Sequence, residues 1–226
     1  MNRQDNIKRI VMHWTAGAHS ANSTDRRAYH FIIEGDGNVV KGNNPPEANA
    51  RISNPRDGST YAAHTRGLNT GSIGVALAAM RGAKERPFDA GPSPITEAQL
   101  DAMAGLCADL CNRYGIPVTR ETVLTHAEVQ PTLGIAQRGK WDIMWVPGMS
   151  SAGDPVPVGD GLRDRVKAKM SNKRAAAKVP PKHVASQPLP TKPVADHEPA
   201  QGDTQAPRWL AGLIAALVRL LKVGRG

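Results

Sequence analysis

The chain has 226 residues, two cysteines, 40% hydrophobic residues and a formal net charge of +9, enough for one good domain with added segments and too few cysteines for a disulfide scaffold. The charge is uneven: residues 1–150 hold 16 Lys and Arg against 14 Asp and Glu, and residues 151–226 hold 13 against 6. A near-neutral domain with a basic tail argues against a nucleic-acid groove in the fold and for a tail aimed at an anionic surface.

The first residues are polar and lead into a strand over 7–13 with no apolar leader run, so no signal peptide is expected. Residues 18–27 read as a polar loop or one helical turn. Tyr29 to Ile33 and Asn38 to Lys41, joined through Asp36-Gly37, read as a β-hairpin. Residues 43–58 are Pro- and Gly-punctuated loop, and 61–64 approach a further short strand. Ser72 to Met80 is a fully apolar central strand, in which Gly74 implies close approach of another group. After a Gly/Pro loop, Thr96 and Gln99 form a capping box. They open a helix to about Tyr114, with Leu100, Met103, Ala104, Cys107, Leu110 and Cys111 at helical spacing. Cys107 and Cys111 then read as small buried hydrophobes. Gly115-Ile-Pro117 ends the helix, 118–125 lead into a second apolar run, and 127–148 read as a closing loop. The expected fold class is α/β, a central mixed β-sheet flanked by helices.

The expected domain occupies residues 1–148. A basic, Pro-rich linker follows over 149–207, with a short solvated helix at 161–178. Residues 208–226 form a cationic amphipathic helix: Leu210, Leu213, Ile214, Leu217, Leu220 and Leu221 share one face, and Arg208, Arg219, Lys222 and Arg225 lie off it. A span needs roughly 20 apolar residues, and Trp209–Val223 offers 15, two of them charged. The helix is expected to lie on a membrane surface; docking on the domain or self-association is the alternative.

Three segments look built to meet. The apolar run Ile10-Val-Met-His13 delivers a histidine at a strand end, Val123-Leu-Thr-His126 delivers another, and Lys140-Trp-Asp142 adds a carboxylate. Two imidazoles and a carboxylate make a three-ligand zinc site with an open fourth position, the catalytic arrangement.

The ordered set Met12-His-Trp-Thr-Ala-Gly17, Tyr29-His-Phe-Ile-Ile-Glu-Gly-Asp-Gly37, His64 with Asn69-Thr-Gly-Ser-Ile-Gly-Val75, Thr125-His-Ala-Glu128 and Lys140-Trp-Asp142 resembles the type-2 N-acetylmuramoyl-L-alanine amidases. That group includes T7-type lysozyme and the peptidoglycan recognition proteins, and the resemblance covers about residues 6–146. It implies a zinc hydrolase that cuts the amide between N-acetylmuramic acid and L-alanine of peptidoglycan. By position, His13, His126 and Asp142 become Zn²⁺ ligands. Tyr29 and Lys140 become catalytic, as a phenol donor and a cationic stabiliser of the oxyanion. Trp14 and His64 are expected in the substrate groove, with a structural role for His64 as the alternative. Glu128 is read either as general acid/base or as a partner that orients His126. His30 points to the opposite face from Tyr29 and reads as a core histidine or one that supports a ligand from behind. The fifteen residues between His13 and Tyr29 read as loop where many relatives have a helix.

The resulting expectation is a bacteriolytic phage endolysin, a monomer with peptidoglycan as substrate and no nucleic-acid partner. It would be made in the cytoplasm, act on the cell wall after release, and engage an anionic membrane or lipopolysaccharide through residues 208–226. A non-catalytic peptidoglycan-binding module is the alternative; such relatives typically lack a zinc ligand, and here all three positions carry competent ones.

Overall fold

The computed structural model describes residues 6–178 apart from positions 55 and 58. Its centre is a five-stranded mixed sheet. In chain order the strands are β1 (Arg9–Trp14), β2 (Phe31–Ile33), β3 (Val39–Lys41), β4 (Ser72–Leu77) and β5 (Val123–Thr125), and across the sheet they run β3-β2-β4-β1-β5. β1 lies parallel to β4 and to β5, and β2 is parallel to β4; only the β2–β3 hairpin is antiparallel. A strand with partners on both edges and layers on both faces must be apolar along its length. β4 is buried throughout and β1 from Ile10 onward.

Side chains alternate across the sheet. Ile10, Met12 and Trp14 enter the larger core with Leu100, Met103 and Cys107, while Val11 joins Leu68, Leu124 and Val129 on the other face. His13 therefore shares the face of Val11. It sits near the carboxyl end of β1, opposite Ala76. His126 follows directly on β5, so both histidines reach the same edge of the sheet, where open α/β sheets place their ligands.

The helices are α1 (Ser23–Ala28), α2 (Glu97–Tyr114), α3 (Val129–Leu133) and α4 (Pro155–Lys178). α2 starts at the expected Thr96/Gln99 capping box and stops at Gly115, whose φ of 65° suits glycine. Gln99 is buried, and its amide nitrogen donates to the carbonyls of Ile33 and Ala78. The cap thus also fastens the helix to β2 and to the end of β4. Cys107 and Cys111 are buried free thiols, as expected, and burial raises the pKa of each.

Three expectations need correction. The segment between His13 and Tyr29 is not all loop. Asn22 and Asp25 cap each other reciprocally and open α1. Residues 61–64 form no strand; the side chain of Asn49 instead pins Ala62 through both its N–H and its carbonyl. The largest correction concerns residues 149–178. α4 begins at Pro155, where Asp154 accepts from the Val156 N–H at 2.9 Å, and it belongs to the compact unit that holds the sheet. Leu162 and Val166 enter the core and Arg163 is fully buried. Arg165–Glu97, Lys169–Asp101 and Lys173–Asp109 join α4 to α2. These pairs are largely exposed and contribute little; the buried apolar side chains are what hold the helix down. Domain packing therefore does not stop at 148. The rest of the expected linker, 179–207, and the expected helix at 208–226 lie outside the described residues.

Candidate metal centre

His13, His126 and Asp142 converge, and all three are buried. His13 Nδ1 lies 3.1 Å from His126 Nδ1, and each of those nitrogens lies 3.1 Å from Asp142 Oδ2. Donors about 2.0–2.1 Å from a tetrahedral zinc are about 3.3 Å apart. The observed triangle is close to one face of that tetrahedron.

The hydrogen bonds behind the imidazoles decide what those nitrogens are. Gln137 uses its amide nitrogen on the carbonyls of Arg66 and Ile135, which leaves its oxygen to accept from His126 Nε2 at 2.9 Å. His126 thus carries its proton on Nε2. His64 donates from Nε2 to the Ser72 carbonyl, so its Nδ1 is an acceptor, 3.2 Å from His13 Nε2; Thr65 Oγ1 lies 3.3 Å from the same nitrogen. His13 is therefore also protonated on Nε2. Two imidazole lone pairs and a carboxylate oxygen meet with no proton among them, a donor set that suits a divalent cation and repels itself without one.

Electrostatics agree. Burial depresses the His13 pKa to about 4, against the pull of Asp142, and holds His64 well below its usual value. His13 is therefore neutral at neutral pH, as metal binding requires, and so is the His64 ring behind it.

His126 and Asp142, with His13 fully buried against them, border an open cavity of about 480 Å³. Trp14, Tyr29, His64, Arg66, Arg138 and Lys140 are among the residues that line it. Tyr29 caps the carboxyl end of α1, and its ring centroid is 5.1 Å from that of His13. Burial, then the charge of Asp142, push its phenol upward in pKa, so it remains an O–H donor. The Trp14 ring meets Trp141 edge-on at 4.6 Å. His64 borders the cavity, but its side chain packs against Gly74: a Cβ there would come within 2.5 Å of it. That is the close approach expected at Gly74. His30 is buried beside it and accepts from the Gly74 N–H through Nδ1.

Glu128 does not join this group. It is fully buried, accepts from the Thr125 N–H at 2.8 Å, and forms a two-pronged pair with Arg163 at 2.7 and 3.2 Å. Neither expected role fits: it is not among the residues lining the cavity, and His126 takes its orienting bond from Gln137 instead. Sequence reasoning missed Gln137, Thr65 and Arg138. Gln137 lies in a stretch with no periodic pattern, and nothing local marks it.

A buried three-donor centre at the strand ends of a mixed sheet, open to a cavity edged by cations, is the class of site found in metal-dependent hydrolases. The sequence pattern of the N-acetylmuramoyl-L-alanine amidase family (Amidase_2) matches residues 3–148, and the chain belongs to that family. It is 31% identical over 103 residues to an endolysin of Klebsiella phage KP32, a match covering 46% of this chain and 54% of that protein. The chain thus matches about half the length of that curated relative. Among solved structures it is similar to the N-acetylmuramoyl-L-alanine amidase LysC from Clostridium intestinale URNW, with TM-score 0.43, 17% identity, and 74% of this chain and 89% of that one covered. It is also similar to the amidase AmiD from E. coli, with TM-score 0.37, 23% identity, and 54% and 49% covered.

Proposed function

We propose that the chain is a zinc-dependent N-acetylmuramoyl-L-alanine amidase that lyses bacterial cell walls as an endolysin. The observation that carries this is the triangle of His13 Nδ1, His126 Nδ1 and Asp142 Oδ2, each 3.1 Å from the others, beside an open cavity that His126 and Asp142 line. Family membership supplies the bond: the amide between N-acetylmuramic acid and L-alanine.

The three residues would hold Zn²⁺ beside the cavity. Zinc, when bound, supplies Lewis acidity, activating water at neutral pH and polarising the scissile carbonyl. The chain's own groups do the rest. Tyr29 keeps its proton and offers an O–H to the negative charge that develops on the amide oxygen. Lys140, on the cavity wall, adds a positive charge to the same end of the reaction. Trp14 forms an apolar wall beside them, and His64 and Gln137 hold the two ligating imidazoles in one tautomer. Glu128, buried against Arg163 and away from the cavity lining, is not placed to give a proton to the leaving amine.

Peptidoglycan is the proposed substrate and the cell wall the site of action. Residues 208–226 are proposed as a surface-lying helix for an anionic membrane or lipopolysaccharide; among the described residues no helix is long and apolar enough to cross a membrane. The test is mass spectrometry of digested peptidoglycan, with and without chelator. Release of stem peptides with a free L-alanine amine, lost on chelation and restored by Zn²⁺, is expected. A cut in the glycan strand would overturn the mechanism, and zinc-free protein that binds the wall without cutting it would favour a binding module.

A further inference from the structure

We infer that Arg163 is a positioning residue for the metal centre: with Glu128 it forms a buried clamp through which α4 holds the turn that carries His126. The inference rests on the metal reading above. It concerns a helix that lies beyond residue 148, where the family match ends.

Arg163 is 2% exposed and Glu128 0%. Each Nη hydrogen of the guanidinium has an acceptor. Nη1 donates to the Val123 carbonyl at 2.8 Å and to Glu128 Oε2 at 3.2 Å; Nη2 donates to Glu128 Oε1 at 2.7 Å and to Asp160 at 2.8 Å. Glu128 Oε2 also accepts from the Thr125 N–H. Val123 and Thr125 are the two ends of β5, and His126 is the next residue. Arg120, just before β5, grips Asp160 of α4 with two further bonds at 3.0 and 2.6 Å. α4 comes close enough for this only because residue 159 is glycine: a Cβ there would lie 1.9 Å from the Glu128 carboxylate.

A buried ion pair is weak evidence for a gain in stability, since a well-packed apolar replacement is often as stable. What a two-pronged guanidinium–carboxylate pair adds is direction. Here the direction is imposed on a three-residue strand that has one sheet neighbour, β1, and must still present His126 Nδ1 to within 3.1 Å of two other donors.

The test uses the full chain and Zn²⁺ itself. The double variant Glu128→Gln/Arg163→Met removes both charges and strands neither. It should keep the wild-type circular dichroism, yet bind zinc 10- to 100-fold more weakly in competition with a chromophoric chelator, the loss typical of partners behind a ligand. Glu97→Gln/Arg165→Met, which removes an exposed α4–α2 pair and leaves the contacts to β5 in place, should leave zinc affinity unchanged. A folded Glu128→Gln/Arg163→Met protein that binds zinc within twofold of wild type would overturn the clamp. Native-state hydrogen exchange of the wild-type chain decides independently if that variant does not fold. The Thr125 amide should open together with the amides of α4, and independent opening would overturn the inference. Wild-type protein that binds no zinc would instead sink the metal reading, with the exchange result still judging the clamp.

Discussion

Gln137 holds the proton of His126 on Nε2, and His64 with Thr65 does the same for His13. Those bonds leave each Nδ1 free to accept a metal, as the proposed function needs. Gln137→Ala should lower zinc affinity by about 10- to 100-fold while the protein stays folded; calorimetric titration with zinc checks this. Asp142→Ala removes a ligand outright, so zinc content measured by atomic emission should fall from one ion per chain to none and hydrolysis should cease with it. Burial also makes a pH prediction. His13 and His30 have folded-state pKa values near 4, against about 6.5 unfolded. Between those values the unfolded chain binds more protons, so stability is full above about pH 6.5 and is lost as pH falls toward 4. Zinc-free protein should therefore lose up to about 1.4 kcal/mol per pH unit for each such histidine across that window. Urea midpoints that stay flat from pH 7 to 5 would contradict it.

α4 shows how local signals compete. Asp154 followed by Pro155 is a helix start, with the cap at Asp and proline at the first helical position. Pro157, Gly159 and Gly161 in the next turns read as linker, yet proline is tolerated in the first turn, where N–H groups lack partners anyway. The two glycines differ. Gly161 has nothing within 4 Å of an added Cβ, so Gly161→Ala should stabilise by up to about 1 kcal/mol through helix propensity alone. Gly159→Ala gains the same propensity but drives a methyl into the Glu128 carboxylate, and overpacking of that kind costs about 1–3 kcal/mol or more. Denaturant melts should move the two variants in opposite directions. Leu162→Ala should cost about 2–5 kcal/mol, as for a core position and unlike a linker.

For the molecule as a whole, the proposed function gives the catalytic unit and the basic end separate roles. Removing residues 208–226 should leave hydrolysis of purified peptidoglycan nearly unchanged and weaken binding to anionic liposomes, measured by co-sedimentation. Loss of bulk hydrolysis would mean that the segment belongs to the fold. The sequence by itself determined the strands that carry the histidines, the hairpin, the limits of α2 and three candidate ligands, because each is written in local pattern: apolar runs, a turn pair, a capping box, histidines at strand ends. Only the tertiary structure decided the rest. Glu128 sits two residues from a ligand, yet it faces α4 and not the cavity. Gln137 comes from a stretch without periodicity and fixes the tautomer of His126. α4 became part of the core because Leu162, Arg163 and Val166 find partners on α2 and β5. Such outcomes depend on which distant groups share a buried volume, and a run of residues does not state that until the chain has folded around it.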